Sequence, residues 1–181
     1  MRIVKRTGRL FFCLAAALAA VMLFSCGKTD NKEIDDGSNA VSPDGKFVFE
    51  GVSLILPEGF SVKNQEEGKM AADFEKDTGE NVMFTKSNDK KSDYTEDELK
   101  KLIEKSVGTE AADVEVETLE DGGTEYAKYS FFLDADGGKI KVVGFTFFID
   151  EKDSVTLTFT GKQDVFDGVF AGSIESVGLE K

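Results

Sequence analysis

Residues 140–149 place the heaviest constraint on this chain. Val142, Val143, Phe145, Phe147, Phe148 and Ile149 put apolar side chains at both parities of an extended segment. Successive side chains on a strand point to opposite faces, so a strand of this composition has to be covered on both sides. A sheet with one wet face does not satisfy it, and further layers must be stacked on the sheet that holds Ile140–Ile149.

The segments around it supply the rest of that sheet. Val114–Leu119, Glu125–Leu133, Lys139–Ile149 and Ser154–Thr160 read as consecutive strands, separated by turns at Asp121-Gly122-Gly123, Asp134-Ala135-Asp136-Gly137-Gly138 and Asp150-Glu151-Lys152-Asp153. Short turns of this chemistry join antiparallel neighbours, so a meander is predicted. In its last strand Val155, Leu157 and Phe159 alternate with Thr156, Thr158 and Thr160, which predicts one buried face and one polar face. Upstream, Phe47–Leu56 is predicted to give two short strands, or one bulged strand, ended by Pro57-Glu58-Gly59. Met70–Phe74 and Asn81–Lys86 are predicted to pair across the turn Asp77-Thr78-Gly79-Glu80.

Two helices are expected. In Thr95-Glu96-Asp97-Glu98 the threonine can cap the free amides while Glu98 reaches back to the Thr95 amide, with Tyr94 and Leu99 as a hydrophobic staple. Leu99, Leu102, Ile103 and Val107 continue as one stripe until Gly108, which predicts a helix from about Glu96 to Val107. Near the end, Asp164 is expected to cap a helix whose Phe166, Val169, Phe170, Ser173 and Val177 share one stripe, with Ile174 beside it. Gly168 and Gly172 leave that helix dependent on packing.

The first residues carry an address. Arg2, Lys5, Arg6 and Arg9 precede Leu10–Phe24, an apolar run of 15 residues without a charge. That is the pattern of a secretory leader, and it falls short of the roughly 20 residues a membrane-spanning helix needs. The leader ends Leu23-Phe24-Ser25-Cys26-Gly27, which resembles the lipobox of bacterial lipoproteins, in which the cysteine is acylated and becomes the first mature residue. Residues 1–26 are therefore expected to be a lipoprotein signal peptide with Cys26 as the lipid attachment site. Residues 27–44 are polar and read as a flexible tether of roughly 24 Å root-mean-square span. Residues 45–181 form a single domain.

Composition excludes several chemistries. Histidine is absent, and the one other cysteine, Cys13, lies in the leader, so histidine-based triads, the usual zinc sites and a disulfide framework cannot be assembled. Removing four leader cations takes the formal net charge from −13 to −17, which argues against nucleic acid as a partner. Asp134-Ala135-Asp136-Gly137-Gly138-Lys139 has alternate carboxylates, but an EF-hand needs glycine at the sixth position and glutamate at the twelfth, where this chain has Lys139 and Phe145. Neither Gly122-Gly123 nor Gly137-Gly138 opens a helix with the Lys-Ser or Lys-Thr of a P-loop. Glu96-Asp97-Glu98 and Asp150-Glu151-Asp153 are explained by a helix start and a loop tip. Hence no catalytic residue, no metal ligand and no cofactor is expected.

The opening Phe49-Glu50-Gly51-Val52-Ser53-Leu54-Ile55-Leu56-Pro57-Glu58-Gly59-Phe60, and the close Val155-Thr156-Leu157-Thr158-Phe159-Thr160 followed by a helix ending Ser173-Ile174-Glu175-Ser176-Val177, resemble the PsbP-like superfamily. That superfamily includes photosystem II extrinsic subunits, a Ran-binding nuclear import factor and envelope lipoproteins of the DcrB type. The resemblance implies an α+β fold: an antiparallel β-sheet with helices on both faces, here a meander of about six to seven strands. It implies an accessory or binding role and carries over no catalytic residues.

The expected protein is thus a non-enzymatic lipoprotein, anchored by its N-terminal lipid on the extracytoplasmic side of the cell membrane, that binds a protein partner with a basic surface. The alternative is a lipid-anchored binder of a small apolar ligand, in a gap between helix and sheet lined by Phe145, Phe147 and Phe148. Cys26→Ala is expected to leave an unprocessed or mislocalised precursor while the domain still folds. Intact-mass analysis of the wild type should find lipid on Cys26, and an unmodified thiol there refutes the assignment.

Overall fold

A computed structural model describes residues 41–65, 71–87, 95–107, 111–121, 123–135, 138–149 and 153–180. Cys26, most of the tether, and Tyr94, Gly108, Gly122 and Asp136-Gly137 of the predicted staple and turns lie outside the described residues. The elements are β1 (Lys46–Phe49), β2 (Val52–Ile55), β3 (Ser61–Gln65), β4 (Ala71–Glu75), β5 (Asn81–Ser87), α1 (Glu96–Val107), β6 (Ala111–Asp121), β7 (Thr124–Ala135), β8 (Gly138–Phe148), β9 (Ser154–Lys162), α2 (Gln163–Phe166), α3 (Ala171–Glu175) and β10 (Gly178–Leu179).

They form a mostly antiparallel α+β fold in two sheets. The large sheet has seven strands in the order β3-β4-β5-β9-β8-β7-β6, and the small one is β1-β2-β10. The predicted meander is present as β6 through β9, and a second, β3 through β5, joins it where β5 pairs with β9 from Asn81↔Thr160 to Ser87↔Ser154. The β4–β5 turn closes as its residues require, with the Gly79 amide donating to the Lys76 carbonyl at 2.8 Å and φ of 92° at Gly79.

The two parities of β8 enter two separate apolar clusters. Val143, Phe145 and Phe147 pack with Val155, Leu157 and Phe159 of β9, with Phe47, Phe49, Val52 and Leu54 of the small sheet, and with Phe166 and Phe170. Val142 and Ile140 pack with Val114, Tyr129, Phe131, Leu133 and with Ile103, Leu99 and Leu102 of α1. Rings in the first cluster meet edge to face: Phe145 against Phe159 at 6.2 Å, Phe159 against Phe170 at 5.3 Å, Phe47 against Phe74 at 4.6 Å. This is the geometry the aromatic quadrupole favours. Gly144 sits between the buried valine and phenylalanine because the Tyr129 ring lies directly on it, where any Cβ would overlap the ring.

At α1 the structure matches the capping box: the Thr95 amide donates to Glu98 Oε2 at 2.9 Å, and the Glu98 amide donates to Thr95 Oγ1 at 3.3 Å. Elsewhere it differs from expectation. The threonine side of β9 is polar yet buried, with Thr158 2% and Thr160 1% exposed, because β9 is the central strand of seven and both its faces are covered. Two hydroxyls on this side are paired across strands, Thr156 with Thr146 at 3.0 Å and Ser154 with Ser87 at 2.8 Å.

The single terminal helix is two short ones. Lys162, not Asp164, is the N-cap of α2 and makes no side-chain cap bond; Asp164 lies in the first turn. The helical run ends at Phe166 with Asp167 as its C-cap, the Phe170 amide turns back to the Val165 carbonyl at 3.1 Å, and Phe166 and Phe170 still reach the core with rings 5.0 Å apart. Packing thus keeps both rings in the core although the helix does not run on between them. Two strands were not anticipated. β3 carries one apolar residue, Val62, which is 42% exposed at a bulged sheet edge, and β10 is two residues long.

Phe159→Ala should lower stability by about 3–5 kcal/mol through a cavity at the meeting point of β8, β9 and Phe170, and Thr95→Ala by about 1 kcal/mol through loss of the cap. Chemical unfolding measures both. A near-neutral Phe159→Ala contradicts the packing described.

Candidate functional site

The strands β6, β7 and β8 run beyond the cover that the small sheet provides, and the side that carries Val143 changes there from apolar to charged. Register places Glu115 beside Ser130 and Val143, and Glu117 beside Lys128 and Phe145, so these side chains share one face. Alternation in Glu115-Val116-Glu117 and Lys128-Tyr129-Ser130 sends the polar groups to this side, while Val116 and Tyr129 join the cluster beneath α1. With Lys141 as further floor and Asp167, Ile174 and Glu175 as wall, they line an open groove of about 560 Å³.

Its charges are only partly matched. Lys128 Nζ lies 3.0 Å from Glu117, and Ser130 Oγ donates to Glu115 at 3.5 Å. The Lys141 ammonium lies over two rings, 5.3 Å from the centre of Phe166 and 5.8 Å from that of Phe132, which is worth about 0.5–1 kcal/mol at an exposed site. Among the described residues, Asp167 and Glu175 have no ion-pair partner, and Lys141 has none beyond the rings. Such a groove can exchange ion pairs with a charged partner. A hydrolytic centre asks for more: a base held against a nucleophile, with donors converging on an oxyanion. The 3.5 Å contact of Ser130 with an exposed glutamate is too long for the first of these.

A second concavity, of about 460 Å³, lies between the β1–β2 turn at Glu50 and Gly51, Asp121, Ile149 and the terminal Leu179–Glu180. Its carboxylates serve the fold: Glu180 pairs with Lys46 at 2.6 Å, and Glu50 pairs with Lys86 at 2.8 Å, where the hydrogen bond holds the lysine above its usual pKa. Asp153 adds a contact to Lys86 at 3.6 Å. Of the predicted ligand-gap residues, Phe145 and Phe147 are 4% and 1% exposed within one cluster, while Phe148 is on the opposite parity; the three do not line one space. Among the described residues no three histidine, cysteine or acidic groups converge as metal ligands.

The acidic start of α1 is taken up locally. Glu98 accepts from the Thr95 amide, which lowers its pKa, and Glu96 Oε1 accepts from the Thr118 amide of β6 at 2.7 Å. The first was legible as a capping box. The second, and the groove residues Glu115, Lys128, Lys141 and Asp167, were not: each reads locally as an ordinary exposed charge, and strand register collects the first three while the end of α2 brings Asp167 to them.

A carboxyl on β4 is also held away from its usual range. Burial raises the pKa of Asp73, and the hydrogen bond that Asn81 Nδ2 donates to it opposes the shift. The Asn81 side chain is itself buried, with Oδ1 lacking a partner. A protonated Asp73 has a hydrogen to offer such an acceptor, whereas the carboxylate has none.

No protein-family model matches the chain, and no curated protein matches it in sequence. In structure it is similar to cyanobacterial PsbP (CyanoP) from Synechocystis sp. PCC 6803, with TM-score 0.51, 16% identity, and coverage of 88% of this chain and 99% of that one. A crystal structure from Bacteroides thetaiotaomicron VPI-5482 has TM-score 0.46 and 15% identity, covering 80% of this chain and 49% of that one. The fold is PsbP-like.

Because its native pKa is raised, Asp73 contributes stability below the usual carboxylate range, near pH 4, that is lost as pH rises through the native pKa. Asp73→Asn should therefore be more stable than wild type at pH 7, by about 1 kcal/mol, with the advantage gone near pH 3. Urea unfolding at both pH values checks this. Destabilisation at pH 7 refutes it.

Proposed function

We propose that this protein is a non-enzymatic, lipid-anchored accessory of the bacterial cell envelope, whose PsbP-like domain carries helices on both faces of its sheet and binds a protein partner with a basic surface. The observation that carries the reading is the groove bordered by Glu115, Glu117, Asp167 and Glu175, in which Lys128 answers only one of four carboxylates. An acidic surface of this kind steers a cationic partner and sets its orientation, and the attraction weakens as salt shortens the Debye length, about 10 Å at 0.1 M. The leader, the lipobox resemblance at Cys26 and the polar tether support anchoring at the membrane; the fold's likeness to a PsbP protein supports an accessory role. The closed ring packing around Phe145 and Phe147 favours this reading over an apolar-ligand binder.

The test is cross-linking of the full chain in its own membranes, followed by mass spectrometry and by titration with the purified partner. Expected is a partner with a basic contact surface, bound at low salt and released as ionic strength rises. Glu115→Lys with Asp167→Lys should weaken binding about tenfold, a loss of about 1.4 kcal/mol. A turnover of esterase, phosphatase or glycosidase substrates that disappears when one Asp or Glu becomes its amide overturns the reading in favour of an enzyme.

A further inference from the structure

We propose that the outer edge of β6 is a strand-addition site for an extended, lysine- or arginine-bearing segment of the protein partner, and that Glu96 holds this edge shut until the segment arrives. The inference rests on the partner-binding reading above and gives that partner a mode of attachment.

β6 is the last strand of the seven and, at 11 residues, long for an edge. Exposed edges invite pairing with other chains and are usually kept short or blocked. The Thr118 amide points away from β7 and donates to Glu96 Oε1 at 2.7 Å, 22 residues back on the first turn of α1. A carboxylate oxygen there stands where the carbonyl of an eighth strand would stand. Residues two apart on an antiparallel strand direct their amide and carbonyl groups to the same side, so those of Val116 and Glu120 also face outward. Among the described residues, neither of these amides has a partner. Glu96 therefore stops one rung of an open ladder and leaves those on either side free.

The charges on the strand select the occupant. β6 carries Asp113, Glu115, Glu117, Glu120 and Asp121 and no cation. A second copy pairing antiparallel about Thr118 would set Glu115 opposite Asp121 at two places, a destabilising contact of like charges. An incoming strand that alternates cations with apolar residues would set its cations beside Glu115 and Glu117, on the groove side. Its apolar residues would fall beside half-buried Val116, on the side of α1. Strand addition of this kind draws affinity from main-chain hydrogen bonds and specificity from alternate side chains.

Fluorescence anisotropy of a short labelled peptide alternating lysine with valine, titrated with the full chain in detergent, tests the proposal. The wild type should bind it, and salt should weaken binding. Glu96→Ala should tighten binding about fivefold, because the internal competitor is gone and more molecules are open to the peptide. In that variant the peptide should also slow hydrogen exchange at the Thr118 and Val116 amides. Thr118→Pro, which deletes the outward donor and leaves the β7 ladder its bonds, should abolish binding; Val116→Pro serves as the second variant if the first lowers the melting temperature. Unchanged binding in the folded proline variant overturns the proposal, as does equal binding of a glutamate-valine peptide. A Glu96→Ala dimer in light scattering assigns the edge to a second copy and overturns it too. A partner that Thr118→Pro still binds, and that Glu115→Lys with Asp167→Lys does not, leaves the functional reading standing and removes the edge from it.

Discussion

The pairing of β5 with β9 holds the molecule together. Each of these strands closes its own meander, and the seven register pairs between them are the ladder that turns two small sheets into one large one. An isolated hairpin is marginal in water, whereas a central strand with neighbours on both sides and cover on both faces is not. The residue types fit the position. Val155, Leu157 and Phe159 supply apolar contacts on one side, and on the other Ser154 and Thr156 bond across the ladder to Ser87 and Thr146.

What could be read from the sequence was whatever depends on near neighbours. The capping box at Thr95 and Glu98, the turn at Gly79, the apolar run on both faces of β8 and the alternation along β9 are local patterns with local physical causes, and they point to strands, a helix start and a doubly covered sheet. What could not be read depends on distant neighbours. Val62 lies in a strand because β4 offers a free edge, and Thr158 is buried because β9 is central. The terminal helical stripe breaks after Phe166, and its rings remain in the core all the same. The same division holds for the groove. Glu115, Lys128 and Lys141 are ordinary surface charges until β6, β7 and β8 come into register, and no spacing along the chain announces that they will meet.

The chain covers nearly all of the cyanobacterial PsbP structure at 16% identity. At that distance the shared property is a way of covering a sheet, not a conserved set of side chains. The charges around the groove are a matter apart from the fold, and the fold by itself assigns them no role.

The small sheet ties the two ends of the domain together. β10 pairs with β2, the Glu180 amide donates to the Gly51 carbonyl at 2.9 Å, and the Ile55 amide donates to Ser176 Oγ across 121 residues. The β1–β2 hairpin is made before the other described elements, yet the surfaces that bury Phe47 and Phe49 belong to strands made later, and its partner β10 follows all of them. Contacts of such long sequence separation form slowly. A growing chain therefore cannot complete the small sheet until Gly178 and Leu179 have been made. Phe47 and Phe49 can meet Phe74 and Phe84 well before that point, whereas any truncation before Gly178 makes the loss of β10 permanent.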